Sequence, residues 1–193
     1  DLVIGNSEDQ TENDWAPAFQ AAINRAEELG IGFVDAFGRF GLGSSVHIPV
    51  GVTVRGQNLN TVIVPLANGV FTRGFCFLLN ISADGQSPVE QVPGNLMPGI
   101  QGIWFNNISK TPERRAILLS GTSVITDIKC RYMAKMVLSL GDGAYSDNMV
   151  ISRMHSELII GKEFQIELSG LADGVDISVL HFPRRLDAID HPE

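Results

Sequence analysis

Acidic and basic side chains alternate along the segment TDIKCRY, at residues 126–132. Asp127, Lys129 and Arg131 are two residues apart, and in a β-strand this spacing places all three on one face. Asp176 stands in a second segment with strand-like alternation, GVDISVL at 174–180. Two carboxyl groups on one face can act as acid and base, and a basic side chain beside a carboxylate can abstract a proton. Such chemistry depends on which strands are neighbours.

Four strand-like segments recur along the second half of the chain. Their equivalent apolar pairs are Ile103/Phe105, Ile128/Cys130, Met149/Ile151 and Ile177/Val179, separated by steps of 25, 21 and 28 residues. Steps of that size are typical of one coil of a β-solenoid, whereas a β-sandwich gives turn signals about every 8–12 residues. The spacing favours a solenoid and leaves a sandwich as the alternative.

The alignment of these pairs predicts which outward side chains stand in columns, about 4.8 Å apart between coils. The predicted columns are Trp104, Lys129, Val150 and Ser178; Gly102, Asp127, Asn148 and Asp176; and Asn106, Arg131, Ser152 and Leu180. Asp127 and Asp176 would then lie two coils apart, roughly 9–10 Å between backbones. That separation suits the carboxyl pair of an inverting glycosidase.

Two other interpretations of this face stay open. In a lyase, Asp127 would bind Ca²⁺ or neutralise a sugar acid while Lys129 or Arg131 abstracts the proton. Alternatively, the charged residues only solvate an outward β-face and discourage pairing between sheet edges.

The same face combines an aromatic plane with amide, hydroxyl and basic groups. An aromatic ring covers the apolar face of a sugar, and polar side chains bind its hydroxyl groups. His155 and Glu157 also have acid–base chemistry, but a surface turn explains the segment RMHSEL better. The residues predicted to bind substrate are Trp104, Asn106, Lys129, Arg131, Asn148, Ser152 and Ser178.

One helix is expected, over residues 14–30. Phe19, Ile23 and Ala26 recur at helical spacing, Asp14 can cap the start and Gly30 can end it. After Gly30 the apolar pattern changes to alternation, in short segments separated by glycine, proline or asparagine. Residues 82–101, with three prolines, are expected to form mainly a long loop.

Bulk composition excludes several classes of function. The 193-residue chain is 44% hydrophobic and carries a formal charge of −8, which argues against a nucleic-acid partner. No apolar stretch reaches the roughly 18–20 residues of a membrane span, so no membrane insertion is expected. The four histidines are scattered, and no cofactor or metal site is predicted. Cys76 and Cys130 are expected to be buried free thiols, with a disulfide as the alternative.

The first third of the chain carries an ordered set of motifs. They are Asp14, AFQAAINRA at 18–26, Gly30 and Gly32, AFGRF at 36–40, and HIPVGVTVRG at 47–56. This order resembles the N-terminal region of the pectate-lyase-like, right-handed parallel β-helix superfamily, which includes many phage tailspikes. Ala36 departs from the proline that the family often has. The resemblance implies an all-β fold, a right-handed parallel β-helix whose N-terminal end is capped by the helix.

The resemblance also carries expectations about organisation and function. It implies a single domain over residues 1–193, with a capping segment at 1–30 and coils at 31–193. Because LDAID at 186–190 resembles the start of a further strand, the chain is expected to be part of a longer protein. The expected function is binding of bacterial surface polysaccharide by a tailspike or depolymerase-like protein, and whether it also cleaves the polysaccharide is left open. If the chain is an enzyme, it is expected to be a glycosidase or a lyase.

Two alternatives accompany that expectation. One is a non-catalytic attachment or structural module of a virion or cell surface, and the other is a secreted pectate-lyase-like enzyme. The resemblance further implies a homotrimer, whose contacts would cover outward apolar residues such as Val150 and Leu180. The expected location is the virion tail or the extracellular space.

Overall fold

The computed structural model describes residues 2–85, 97–140, 149–160, 165–168 and 176–181. In these ranges one α-helix, α1 (Ala16–Leu29), accompanies thirteen strands and a short 3-10 turn at Thr72–Gly74. The strands are β1 (Leu2–Asp14), β2 (Phe33–Ser44), β3 (Val46–Ile48), β4 (Thr53–Val70), β5 (Phe75–Leu79), β6 (Gly99–Gln101), β7 (Trp104–Asn106), β8 (Arg115–Ser120), β9 (Val124–Arg131), β10 (Lys135–Leu140), β11 (Val150–Glu157), β12 (Ile166–Leu168) and β13 (Asp176–His181).

The strands form two sheets, and every strand pair in them is parallel. The large sheet has the order β1-β2-β4-β6-β9-β11-β13, with β7 between β4 and β9; the small sheet has the order β12-β10-β8-β5-β3. From β2 onward the chain alternates between the sheets, β6 and β7 together making one visit to the large sheet. The expectation of a fold dominated by β-structure is confirmed, and its sheets are parallel.

Inward side chains of the large sheet stand in register from strand to strand. One such column contains Val34, Val54, Ile100, Ile125 and Ile151, all fully buried. Burying each of these side chains contributes about 1.5–3 kcal/mol relative to leaving it in water. β-branched residues suit such a column because they pack well against neighbours on a pleated surface.

Stacked left-handed residues mark where the strands bend or end. Tyr132 and Leu158 have φ of 56° and 45° and follow the paired residues Arg131 and Glu157. Arg73 and Glu113, with φ of 49° and 66°, both precede strands that pair in the small sheet. A left-handed residue that recurs at equivalent positions turns successive strands in the same direction.

Helix α1 packs its apolar face against the strands through aromatic contacts. Phe19 contacts Phe40 edge-on at 5.2 Å between ring centroids, and it contacts Phe77 at 6.1 Å. Phe77 in turn contacts Phe105 at 5.7 Å, so the helix is continuous with the buried core. Edge-to-face pairs of this kind add about 0.5–1.5 kcal/mol beyond burial.

The C-terminal end of α1 agrees with the prediction, whereas the helix begins at Ala16 and Asp14 is the last residue of β1. Gly30 adopts the left-handed conformation, with φ of 65°, and ends the helix. The carboxylate of Asp14 accepts hydrogen bonds from the N–H groups of Ala16 and Gly43, at 3.0 and 2.7 Å. A Cβ at Gly43 would lie 2.7 Å from the Asp14 carboxyl carbon, so this contact requires glycine.

Gln20 of α1 covers the edge of the small sheet. Its side-chain carbonyl accepts a hydrogen bond from the His47 N–H at 2.8 Å, and its amide donates to the His47 carbonyl at 3.1 Å. Because β3 is an edge strand, these two bonds replace those of a further strand.

Several expectations about the elements need correction. Strand β6 lies inside the segment 82–101 that was expected to be mainly loop, while residues 86–96 lie outside the described ranges. The segment RMHSEL was expected to form a surface turn, but strand β11 runs to Glu157. Strands β8 and β10 were not expected, because their nearly continuous apolar residues hide the alternation typical of a strand.

Both cysteines are free and fully buried, as expected. Burial raises the pKa of the Cys76 thiol to about 12 and raises the pKa of Cys130 well above its ordinary value. Both side chains therefore pack as apolar groups.

Candidate functional site

The large sheet bends at equivalent positions in three neighbouring segments of the chain. Gly102, Asp127 and Arg153 occupy equivalent places and all have left-handed backbone, with φ of 67°, 57° and 51°. Such a conformation is uncommon for residues other than glycine, and a bend here interrupts the alternation of side chains. The consequence is a concave surface between β7, β9 and β11.

The groove at this bend has a volume of about 420 Å³. Ile103 and Ile128 lie beneath the groove, and both are buried in the core. Its polar lining consists of Asp127, Lys129, Arg153, His155 and Glu157. A concave surface on which a few polar groups converge is a common place for a ligand site.

Asp127 and Arg153 form a two-pronged ion pair between β9 and β11. The guanidinium Nε and Nη2 donate to the two carboxylate oxygens at 2.5 and 2.6 Å. Nη2 also donates to the hydroxyl oxygen of Thr126 at 2.8 Å. These contacts lower the pKa of Asp127, chiefly through the hydrogen bonds from Arg153. Asp127 is therefore held as a carboxylate and is not available as a general acid near neutral pH.

Glu157 is the centre of a second charged group. One of its carboxylate oxygens lies 2.7 Å from Lys129 Nζ and 3.7 Å from His155 Nε2. The other lies 3.9 Å from Arg131 Nε. Hydrogen bonding from Lys129 is the main cause that lowers the pKa of Glu157, so this carboxylate also stays ionised.

Trp104 does not present a free ring to solvent. Lys129 Nζ lies 4.6 Å from the centre of the ring, in a cation–π contact, and Glu157 holds the same ammonium. The indole N–H is buried and has no hydrogen-bond partner among the described residues. Lys129 therefore covers one face of the Trp104 ring.

The first and third predicted columns are each correct in their first pair only. Trp104 does lie beside Lys129, and Asn106 beside Arg131. Beyond β9 the prediction was wrong: Lys129 lies beside His155, which lies beside His181, so the actual steps are 25, 26 and 26 residues. The alignment failed because side-chain alternation repeats every two residues and does not show the bend at Asp127.

Asp127 and Asp176 do not share a column. Asp176 lies beside Val150, and Val150 lies beside Val124, three residues before Asp127. The proposed acid–base pairing depended on a shared column, and the strand register removes that basis. Asp176 is exposed at the start of β13.

The remaining predicted binding residues are dispersed. Ser152 is buried and donates a hydrogen bond to Thr126 at 3.0 Å, and Ser178 lies beside it on β13. Asn106 is 7% exposed, and its side-chain oxygen has no partner in the described part of the chain. Asn148 lies outside the described residues. Leu180 was expected to point outward. In the strand register it lies beside the inward residue Met154, which in turn lies beside Ile128.

The sequence analysis missed Arg153 and His181, and it considered His155 and Glu157 but assigned them to a surface turn. A signal was present: TDIKCR at 126–131 and SRMHSE at 152–157 have the same spacing, 26 residues apart. In that alignment Asp127 faces Arg153 and Arg131 faces Glu157, so opposite charges meet at two positions. Complementary charge would have given the register that apolar alternation could not.

The described ranges contain no group of three His, Cys, Asp or Glu side chains placed to hold a metal ion. They also contain no helix with the length and apolarity that a membrane crossing requires. No protein-family model, curated protein or solved structure matches this chain.

Proposed function

We propose that the chain is a right-handed parallel β-helix of the pectate-lyase-like type that binds polysaccharide in the groove at the Asp127–Arg153 bend. Parallel pairing throughout, regular alternation between two sheets and recurring left-handed residues support a helical coil. The position of α1, continuous with the aromatic core, supports its role as an end cap.

The observation that carries the binding proposal is the lining of the groove. The Asp127–Arg153 ion pair, the Lys129–Glu157 ion pair and the imidazole of His155 line the groove, above the buried residues Ile103 and Ile128. A sugar presents several hydroxyl groups, and the charged and imidazole groups of the groove can form hydrogen bonds with them. Arg153 and Lys129 supply charged donors, whose hydrogen bonds are stronger than those between neutral groups.

Binding without cleavage is the better form of this proposal. Hydrolysis by a carboxyl pair needs one protonated carboxyl group, and the pKa values of Asp127 and Glu157 are both lowered. Elimination by a lyase needs a free base, and Lys129 is held by Glu157 at 2.7 Å. Both carboxylates are also engaged by basic side chains, at 2.5–2.7 Å. On this proposal the protein is a glycan-attachment module of a virion tail or an extracellular surface, and a trimeric assembly accompanies it as a further prediction.

The test is a panel of bacterial capsular and O-antigen polysaccharides, together with pectin, measured by calorimetry. The wild-type chain should bind at least one of them, and Arg153→Asn should bind it about tenfold more weakly through loss of a charged hydrogen bond. Asparagine tolerates the left-handed backbone at this position. The matched control is Arg25→Ala, because Arg25 is exposed on α1 and pairs only with Glu28 in the described ranges.

Products are followed in the same samples. New reducing ends would indicate hydrolysis, and the ultraviolet absorbance of an unsaturated sugar would indicate a lyase. Neither is expected. The proposal is wrong if no polysaccharide binds, or if Arg153→Asn and Arg25→Ala bind as tightly as the wild-type chain. Either product would show that the protein cleaves polysaccharide, and the proposed binding site would still stand.

A further inference from the structure

A second cleft lies where helix α1 meets the edge of the small sheet. Its volume is about 230 Å³, and it is partly open to solvent. Gln20, Asn24 and Glu27 line it from one face of α1, because residues three and four positions apart in a helix are neighbours on its surface. His47 of β3 lines it from the sheet. The groove at the bend belongs to the large sheet, so the two sites are separate.

The backbone of His47 determines which polar atoms of the helix face the ligand. Its N–H donates to Gln20 Oε1 at 2.8 Å and its carbonyl accepts from Gln20 Nε2 at 3.1 Å, so the orientation of the Gln20 amide is fixed. Gln20 Nε2 also donates to Asn24 Oδ1 at 2.8 Å. The Asn24 oxygen is thereby occupied, and its Nδ2 group is left to donate to a ligand.

The imidazole of His47 presents an acceptor. Its Nδ1 lies 3.2 Å from the carbonyl oxygen of Ile81, and because a carbonyl can only accept, Nδ1 carries the hydrogen. In the neutral ring Nε2 then has a lone pair, and this atom has no hydrogen-bond partner in the described part of the chain. Nε2 therefore matches a ligand group that donates a hydrogen bond.

The charge at this cleft is negative. Glu27 is exposed and has no ion pair within the described ranges, whereas the adjacent Glu28 pairs with Arg25. Glu27 lies in the last turn of α1, where the helix dipole adds partial negative charge and no basic residue is present. The residues that line the cleft include no lysine or arginine. These features favour a cation over a neutral or anionic ligand.

We propose that this cleft binds a small protonated amino alcohol. The ammonium group donates to the Glu27 carboxylate and to His47 Nε2, and the hydroxyl oxygen accepts from Asn24 Nδ2. Glu27 and Asn24 are one helical turn apart, roughly 5–6 Å between Cβ atoms, so a stem of about three carbons joins the two ligand groups. Pro49 and Val50, which are half-buried in the lining, supply apolar surface for this stem.

The test is a titration with 3-aminopropanol at about pH 7.5, where a primary amine is protonated, followed through the backbone amide signals in NMR spectra. Signals of residues 20–27 and 47–50 should shift and saturate, with a dissociation constant on the order of millimolar for so small a ligand. Propane-1,3-diol has a hydroxyl group in place of the amine and should bind roughly fivefold more weakly, because it lacks the charge.

Three variants separate the contributions of the cleft. Glu27→Gln removes its charge and should weaken binding of 3-aminopropanol roughly fivefold. His47→Phe keeps a ring but removes the acceptor, so it should also weaken binding. Glu28→Gln is the matched control, because Glu28 is the next residue on the helix and does not line the cleft. The amide spectrum of each variant reports whether it is folded.

The proposal is overturned if 3-aminopropanol causes no saturable shift at these residues, or if the diol binds as tightly. It is also overturned if Glu27→Gln or folded His47→Phe binds the amine as tightly as the wild-type chain. Arg153→Asn, which should weaken polysaccharide binding, should leave amine binding unchanged. This cleft and the proposed polysaccharide site can therefore fail independently.

Discussion

Lys129 determines how much of Trp104 a ligand can reach. Its ammonium is held on one side by the indole ring, at 4.6 Å, and on the other by Glu157, at 2.7 Å. The Lys129 side chain is 23% exposed, so it is packed against these groups rather than freely solvated. A residue predicted to bind sugar therefore has a structural contact that competes with that role.

Replacing Lys129 by alanine should expose the Trp104 ring. In a Trp15→Phe background, where Trp104 is the only tryptophan, acrylamide quenching of its fluorescence should increase roughly twofold, because the covering lysine stem is gone. Lys110→Ala is the matched control, since Lys110 makes its cation–π contact with Tyr132. Quenching that is unchanged in Lys129→Ala would show that Lys129 does not shield the ring.

At the scale of elements, opposite charges align β9 with β11. Asp127 and Arg153 occupy equivalent positions with almost the same left-handed φ, 57° and 51°. Exchanging the two side chains therefore tests the register without changing the backbone that each position requires. The ion pair is only partly shielded, with Arg153 56% exposed, so its contribution is expected to be small.

Asp127→Arg and Arg153→Asp should each lower the free energy of unfolding, and the double variant should recover most of the loss. The coupling in this double-mutant cycle, measured by urea denaturation at low salt, should be small and favourable. It should decrease at high salt because exposed charges are screened. Additive effects would mean that the two side chains do not interact, as the alignment of Asp127 with Asn148 had predicted.

At the scale of the whole molecule, the core is continuous from α1 through both sheets. Phe19, Phe77 and Phe105 connect the helix with β5 and β7, and the cysteine side chains belong to the same cluster. The Cys130 side chain lies in register with Phe105 and Ser156, without contact with solvent. Access to either thiol therefore requires the core to open.

Neither cysteine should react with a thiol reagent in the native protein at about pH 8. Burial raises the pKa of Cys76 to about 12, so its thiolate is scarce, and reagent cannot reach it. After denaturation in urea, both thiols of the chain should react. One rapidly reacting thiol in the native state would show that the core near that cysteine opens.

Helix α1 shows how much of the fold the sequence can predict. The spacing of Phe19, Ile23 and Ala26 predicts the buried face of the helix, and Gly30 predicts its C-terminal end. Both predictions succeed because helical geometry repeats within a few residues. The candidate site is different. Trp104 beside Lys129 was predicted correctly, but Arg153 and His181 were not, because their positions depend on the pairing of distant strands.

The sequence by itself determined the helix, the change to strand alternation after Gly30, and the burial of both cysteines. These features follow from local spacing and from the hydrophobic effect, which need no knowledge of neighbours. The tertiary structure alone decided that Asp127 meets Arg153 and that His155 meets His181. Alternation with a period of two is compatible with several registers, and left-handed backbone at the bend selects one of them.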